Sequence, residues 1–116
     1  MTDHHADFFV EAQTGSSALL GVKGALTNAA EADLMASVNA LADQGVRTII
    51  LDFSQMSYMS STGIGLLVTL LVRAKRLDLH LAACGLNEHY REIFALTRLE
   101  ESFAVFDTGE EALAVL

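Results

Sequence analysis

The chain has no proline, no tryptophan and a single cysteine. Without proline, no segment carries a locked φ, and no proline-rich spacer divides the 116 residues. Domains commonly hold roughly 100–150 residues. One domain over residues 1–116 is therefore expected, with residues 1–7 as a flexible leader. Cys84 alone can make neither an internal disulfide nor a thiolate zinc site, which suits a reducing cytoplasm. Basic residues are scarce as well. Seven Lys and Arg face fifteen Asp and Glu, for a formal charge of −8. Such a field repels a phosphate backbone, so direct nucleic-acid binding is not expected.

Long apolar runs are also missing. No charge falls between Asp52 and Arg73, but Ser54, Gln55, Ser57, Ser60, Ser61 and Thr62 fill the first half of that stretch. Only residues 64–72 are strongly apolar, whereas a spanning helix needs about 20 such residues. The polar start, Met1-Thr2-Asp3-His4-His5-Ala6-Asp7, lacks the basic residues and apolar run of a signal peptide. No membrane insertion is expected. His4 and His5 lie in the leader, His80 in a strand and His89 near a helix start, with no CxxC or HxxxH spacing. Neither a metal nor another cofactor is expected. There is no Walker A sequence, no Gly-x-Ser-x-Gly elbow and no base placed by sequence beside Ser61. Triphosphatase and serine hydrolase activities are disfavoured, and no enzymatic activity is expected.

What is present is apolar and patterned, with 52% of residues hydrophobic. Phe8-Phe9-Val10-Glu11-Ala12 and Ala18-Leu19-Leu20-Gly21-Val22-Lys23 read as strands joined at Thr14-Gly15-Ser16 into a hairpin. Asn28, with Glu31 three residues on, reads as a helix N-cap, and Leu34, Val38 and Leu41 form one apolar stripe. Gly45 ends that helix. Thr48-Ile49-Ile50-Leu51-Asp52 is short and apolar, as a central parallel strand should be. A loop over residues 53–61 leads into a long helix from about Thr62 to Leu77, with Leu66, Leu67, Leu70 and Leu71 facing the core. A strand over residues 79–84, a helix capped by Asn87, a strand over 103–106 and a short helix after Thr108 complete the chain. The order is ββαβαβαβα. It predicts an α/β fold with a mixed, mostly parallel sheet of about five strands and four helices.

The chemistry of interest lies where the central strand hands over to the long helix. Ligands and partners favour the carboxyl edge of such strands. Here that edge meets a helix N-terminus bearing Ser60, Ser61 and Thr62. A helix N-terminus accommodates an anion, and a phosphoryl group adds about −1.5 to −2 charges. Serine and threonine are also ordinary N-caps, and Gly63 and Gly65 can serve close packing alone.

Ile49-Ile50-Leu51-Asp52-Phe53-Ser54, followed by Tyr58-Met59-Ser60-Ser61-Thr62-Gly63-Ile64-Gly65-Leu66-Leu67, resembles the signature of the STAS domain family, and more narrowly of bacterial anti-sigma factor antagonists. Val22-Lys23-Gly24-Ala25-Leu26 is similar to the end of that family's second strand. The resemblance implies that Ser61 is the phospho-acceptor, with Ser60 and Thr62 as lesser candidates. It implies partner contacts at Asp52, Ser60, Ser61, Thr62, Gly63, Ile64, Thr27 and Asn28. The implied partner is an anti-sigma factor that is also a serine protein kinase, with a phosphatase as a further candidate. The unmodified form binds and frees a sigma factor, and the modified form lets go. Two residues depart from the family pattern: Ser60 and Thr27 stand where Asp is common. The alternative within the same fold is a cytoplasmic subunit of an ABC lipid transporter, bound to its ATPase without phosphorylation. A monomer and a weak dimer are equally compatible with the sequence.

Overall fold

The computed structural model describes residues 6–116. Strands β1 (Asp7–Thr14) and β2 (Ser17–Leu26) pair antiparallel through the turn Gly15-Ser16. Gly15 sits at φ +60°, a region that glycine enters without a Cβ clash. A 3-10 turn, Asn28–Ala30, runs straight into α1 (Glu31–Asp43). Then come β3 (Thr48–Met59), α2 (Ser61–Leu77), β4 (His80–Cys84), α3 (Glu88–Leu96), a second 3-10 turn Leu99–Glu101, β5 (Ala104–Phe106) and α4 (Gly109–Val115). The sheet order is β1-β2-β3-β4-β5, antiparallel only between β1 and β2. The expected α/β architecture and element order are therefore present.

The sheet is covered unequally. On one face Leu34, Val38 and Leu41 of α1, Leu66, Leu67 and Leu70 of α2, and Phe94 of α3 pack against Leu20, Val22, Ile49, Leu51 and Phe53. Burial of a full Leu, Ile or Phe side chain contributes about 1.5–3 kcal/mol, so this face carries most of the hydrophobic stabilisation. Phe94 meets Phe53 and Phe103 with ring centroids 5.9 and 5.7 Å apart. The other face holds a small cluster, Leu19, Ile50, Ala82, Cys84 and Ala112, beneath the short α4.

Several expectations are corrected. The segment after Asp52 is not a loop: β3 continues to Met59, because the ten-residue β2 offers ladder partners as far as Leu26. Two register shifts break the alternation that would have marked this half as a strand. β4 ends opposite Asp52, so the second half of β3 pairs with β2 alone. Asn28 is not the cap of the first helical segment. Thr27, extended at φ −134° and ψ 176°, accepts from the Ala29 amide at 3.2 Å, since the 3-10 turn moves the start one residue earlier. The leader is shorter at its C-terminal end: Asp7 opens β1 and Ala6 is buried. His4 and His5 lie outside the described residues. No helix among the described residues is long and apolar enough to cross a membrane.

Candidate functional site

The site is the junction of β3, α2 and the end of β2. Ser60 is the N-cap of α2, with φ −82° and ψ 172°, and its hydroxyl accepts from the Gly63 amide at 3.1 Å. The Ser60 amide donates to the Leu26 carbonyl at 3.1 Å, which seats the cap on the end of β2. Thr62 Oγ1 accepts from the Asn28 amide at 3.1 Å and lies 2.8 Å from Ser60 Oγ. Two of the three consecutive hydroxyls thus close the helix end and tie it to the β2–α1 connection.

Ser61 differs. It is the first helical residue, it is exposed, and its hydroxyl has no hydrogen-bond partner among the described residues. The Gly63 amide is taken by the Ser60 side chain and the Ile64 amide by the Ser60 carbonyl. The amides of Ser61 and Thr62 keep the unpaired character of a helix start. No acidic side chain lies in the first turn of α2. The positive end of the helix dipole is therefore locally uncompensated at Ser61.

Close packing makes this arrangement rigid. A Cβ on Gly63 would run into the Leu26 carbonyl, whereas one on Gly65 would meet nothing within 4 Å. Of the two glycines in the motif, only Gly63 is needed for packing. Ile64 is half-buried against the main core. On the other side of β3, which β4 does not reach, the Met59 amide donates to the Tyr90 hydroxyl of α3 at 3.0 Å. That bond satisfies a strand amide that would otherwise lack a ladder partner.

The structure brings Thr27, Asn28, Ser60, Ser61, Thr62, Gly63 and Ile64 together around one helix end. It does not bring Asp52 there. Asp52 lies seven positions before Met59 on β3, roughly 23 Å at ~3.3 Å per residue. Asp52 accepts from the Ser54 amide at 3.0 Å. It is half-buried beside Cys84 and Glu11. Burial alone would raise the Asp52 pKa, but hydrogen bonds from the Ser54 amide, Glu11, the Ser54 hydroxyl and Cys84 hold it below the ordinary value. Burial, reinforced by the charges of Asp52 and Glu11, pushes the Cys84 thiol up to about 12. A thiol so protonated is a poor nucleophile. Sequence reasoning missed Tyr90, the Leu26 carbonyl and Glu11. The usable signal for Glu11 was a lone acid in an apolar strand, in a hairpin whose partner strand carries a glycine.

Among the described residues no group of three or more His, Cys, Asp or Glu side chains could hold a metal ion.

The family model of the STAS domain matches residues 10–112. Over 93 residues, 80% of each chain, the sequence is 28% identical to BtrV of Bordetella bronchiseptica, whose name assigns it to the anti-sigma factor antagonists. The fold is similar to that of the anti-sigma factor antagonist SpoIIAA in its unphosphorylated form, with a TM-score of 0.72 and 25% identity over 91% of this chain and 92% of that one. The phosphorylated Bacillus SpoIIAA gives a TM-score of 0.69 at 25% identity, over 92% and 96% of the two chains. A sulfate transporter family protein from Wolinella succinogenes shares the fold alone, with a TM-score of 0.77 at 15% identity over 90% and 88%.

Proposed function

We propose that this chain, which belongs to the STAS domain family, is an anti-sigma factor antagonist whose Ser61 face docks on an anti-sigma factor and is released by phosphorylation of Ser61. The observation that carries the reading is the division of labour among the three hydroxyls. Ser60 and Thr62 are engaged in holding the helix end, and Ser61, exposed like Thr62, is the one whose hydroxyl is unengaged. A kinase can reach that oxygen without unfolding its surroundings. A phosphate placed there meets a helix N-terminus with no acidic neighbour in the first turn, so the domain tolerates it.

The docking surface extends along α2. Ser61, Gly65, Val68 and Val72 fall at i, i+4, i+7 and i+11, and so share one face of the helix. Val68 and Val72 are 49% and 52% exposed. Exposed apolar side chains in line with the acceptor suit a partner that buries them. A neutral hydroxyl in that contact costs little to bury if it keeps a hydrogen bond. A phosphate dianion there adds desolvation and repulsion from acidic partner groups. Reversing a 1:99 occupancy needs about 5.5 kcal/mol of differential affinity. One buried phosphate opposite carboxylates is of that order. The partner is a serine protein kinase as well as an anti-sigma factor, and the setting is the cytoplasm.

The test is capture of partners from native lysate by the wild-type chain and by Ser61→Ala and Ser61→Asp variants, with mass spectrometry of the captured proteins and of Ser61. Ser61→Ala is expected to retain an anti-sigma factor that Ser61→Asp loses. Equal capture by both variants would overturn the switch. Capture of a transporter ATPase, indifferent to residue 61, would instead favour the transporter-subunit reading.

A further inference from the structure

Away from Ser61, on the thinly covered face of the sheet, two carboxyl groups meet across a strand that lies between them. Val10 pairs with Leu20 and Ala12 with Leu19, so Glu11 is the extra residue of a β-bulge on β1. Bulges re-aim side chains. Here the Glu11 carboxyl is aimed over Gly21 of β2: a Cβ on Gly21 would sit 2.5 Å from Glu11 Oε2. Gly21 is in turn the register partner of Asp52 on β3. Gly85, after β4, leaves room for the bond from the Ser54 amide that holds Asp52, since a Cβ there would sit 2.7 Å from Asp52 Oδ1 and 2.8 Å from the Ser54 amide. One bulge and Gly21 thus clear the path that lets Glu11 hydrogen-bond to Asp52.

We infer that Glu11 and Asp52 form a proton-sharing latch: the protonated Glu11 carboxyl donates to the Asp52 carboxylate across β2, ties edge strand β1 to β3, and lets go when its proton passes to solvent. The direction of donation follows from the surroundings. Asp52 already accepts from the Ser54 amide and hydroxyl and from the Cys84 thiol, so its ionised form is the better stabilised of the two. Glu11 has no such set of donors. Partial desolvation of its carboxyl, although the side chain as a whole is exposed, then the hydrogen bond to Asp52 and the Asp52 charge, push Glu11 up to about 7.

The charged and titratable groups on the elements around Glu11 are Asp7 on β1 itself, Lys23 on β2, Asp52 and Tyr58 on β3, His80 and Cys84 on β4 and Glu110 and Glu111 on α4. Lys23 pairs with Asp7 in the hairpin register. Glu111 reaches back to the Asp107 amide at 3.1 Å. Asp52 is the group in contact with the Glu11 carboxyl.

The sign of the effect follows from linkage. The folded chain holds the Glu11 proton more tightly than the unfolded chain, so this contribution to stability is complete below about 4.5 and is lost as pH rises through about 7. Above that, two ionised carboxylates face each other, and β1 is an edge strand that pairs, among the described residues, with β2 alone.

The experiment is carbon-detected NMR titration of the Glu11 and Asp52 carboxyl groups in the full chain, with amide exchange across β1 normalised to intrinsic rates. Glu11 is expected to titrate near 7. Protection of the β1 amides should fall roughly tenfold between pH 5.5 and 8.5, a discounted value because the Glu11 side chain is exposed and water screens it. Glu11→Gln donates to Asp52 at any pH and should hold β1 protection constant. Asp52→Asn removes the facing charge and should move Glu11 back toward the ordinary carboxylate range. A wild-type Glu11 that titrates in that ordinary range, or β1 protection that ignores pH, would overturn the latch. Equal pH dependence in wild type and Glu11→Gln would do so too.

Discussion

Ser60 and Ser61 are adjacent and chemically identical, yet the structure assigns them opposite roles, and stability measurements separate them. Replacing Ser60 by Ala removes the acceptor of the Gly63 amide at 3.1 Å, and with it the 2.8 Å contact to Thr62 Oγ1. Loss of an N-cap side chain costs about 1 kcal/mol, within a range of about 0.5–2. The further bond from Ser60 Oγ to the Leu26 carbonyl is 3.5 Å long and adds little. Thr62 keeps its bond from the Asn28 amide, so the tie to the β2–α1 connection survives. The expected cost is therefore about 1–2 kcal/mol, or ~4 °C in Tm for each kcal/mol in a domain of this size. Ser61→Ala removes an exposed hydroxyl without a partner, and should stay within about 0.5 kcal/mol of wild type. Ser60→Asp keeps an acceptor at the cap and places a negative charge at the positive end of the helix, so it should recover wild-type stability or exceed it. Urea denaturation of the three variants at fixed pH, with unchanged m-values, gives the numbers. Equal losses for Ser60→Ala and Ser61→Ala, or a larger loss for Ser61→Ala, would refute the assignment of the cap to Ser60.

The two motif glycines should respond with opposite signs. Gly63→Ala forces a methyl against the Leu26 carbonyl and should cost about 1–3 kcal/mol, outweighing the gain in helix propensity. Gly65→Ala meets open space and should gain up to about 1 kcal/mol; a thermal melt of each variant checks the pair, and destabilisation by both would contradict the packing described above. Cys84, fully buried and with its thiol pushed up to about 12, should resist maleimide at pH 7.5 in the folded chain and react promptly in urea. Rapid labelling without denaturant would show that the α4 face opens.

Much of this arrangement was legible in the residues because local signals agreed with one another. Asn87 and Thr108 read as caps and are caps, accepting from the Tyr90 and Glu111 amides at 2.8 and 3.1 Å. Gly45 ends α1 with φ +90°. The stripe Leu34, Val38, Leu41 is buried as its spacing requires. What escaped was set by distant backbone. The choice of Thr27 over Asn28 as cap was decided by the 3-10 turn, since both residue types can accept the bond. The second half of β3 looked like a loop because its bulges scramble the two-residue period. The separate roles of Ser60, Ser61 and Thr62 depend on the Leu26 carbonyl and the Asn28 amide, each 34 residues from its partner. Glu11 was overlooked because its reach depends on a bulge and on Gly21 in the neighbouring strand.

The two departures from the family pattern then take on one physical meaning. Ser60 and Thr27 stand where Asp is common, and each performs the hydrogen bond that an Asp would perform: Ser60 Oγ to the Gly63 amide, Thr27 Oγ1 to the Ala29 amide. Ser, Thr and Asp are all effective N-caps, so the geometry of the helix end survives both changes. What changes is charge. An Asp at 60 would stand next to a phosphate of about −1.5 to −2 and repel it. With Ser60 there, and no acid in the first turn of α2, the helix end would host that dianion at lower electrostatic cost to its own fold. The same substitution withdraws a carboxylate that could orient a kinase or its metal-nucleotide. Were Ser61 phosphorylated, the difference in affinity between the two forms would therefore fall on the partner's own charges rather than on strain within the domain.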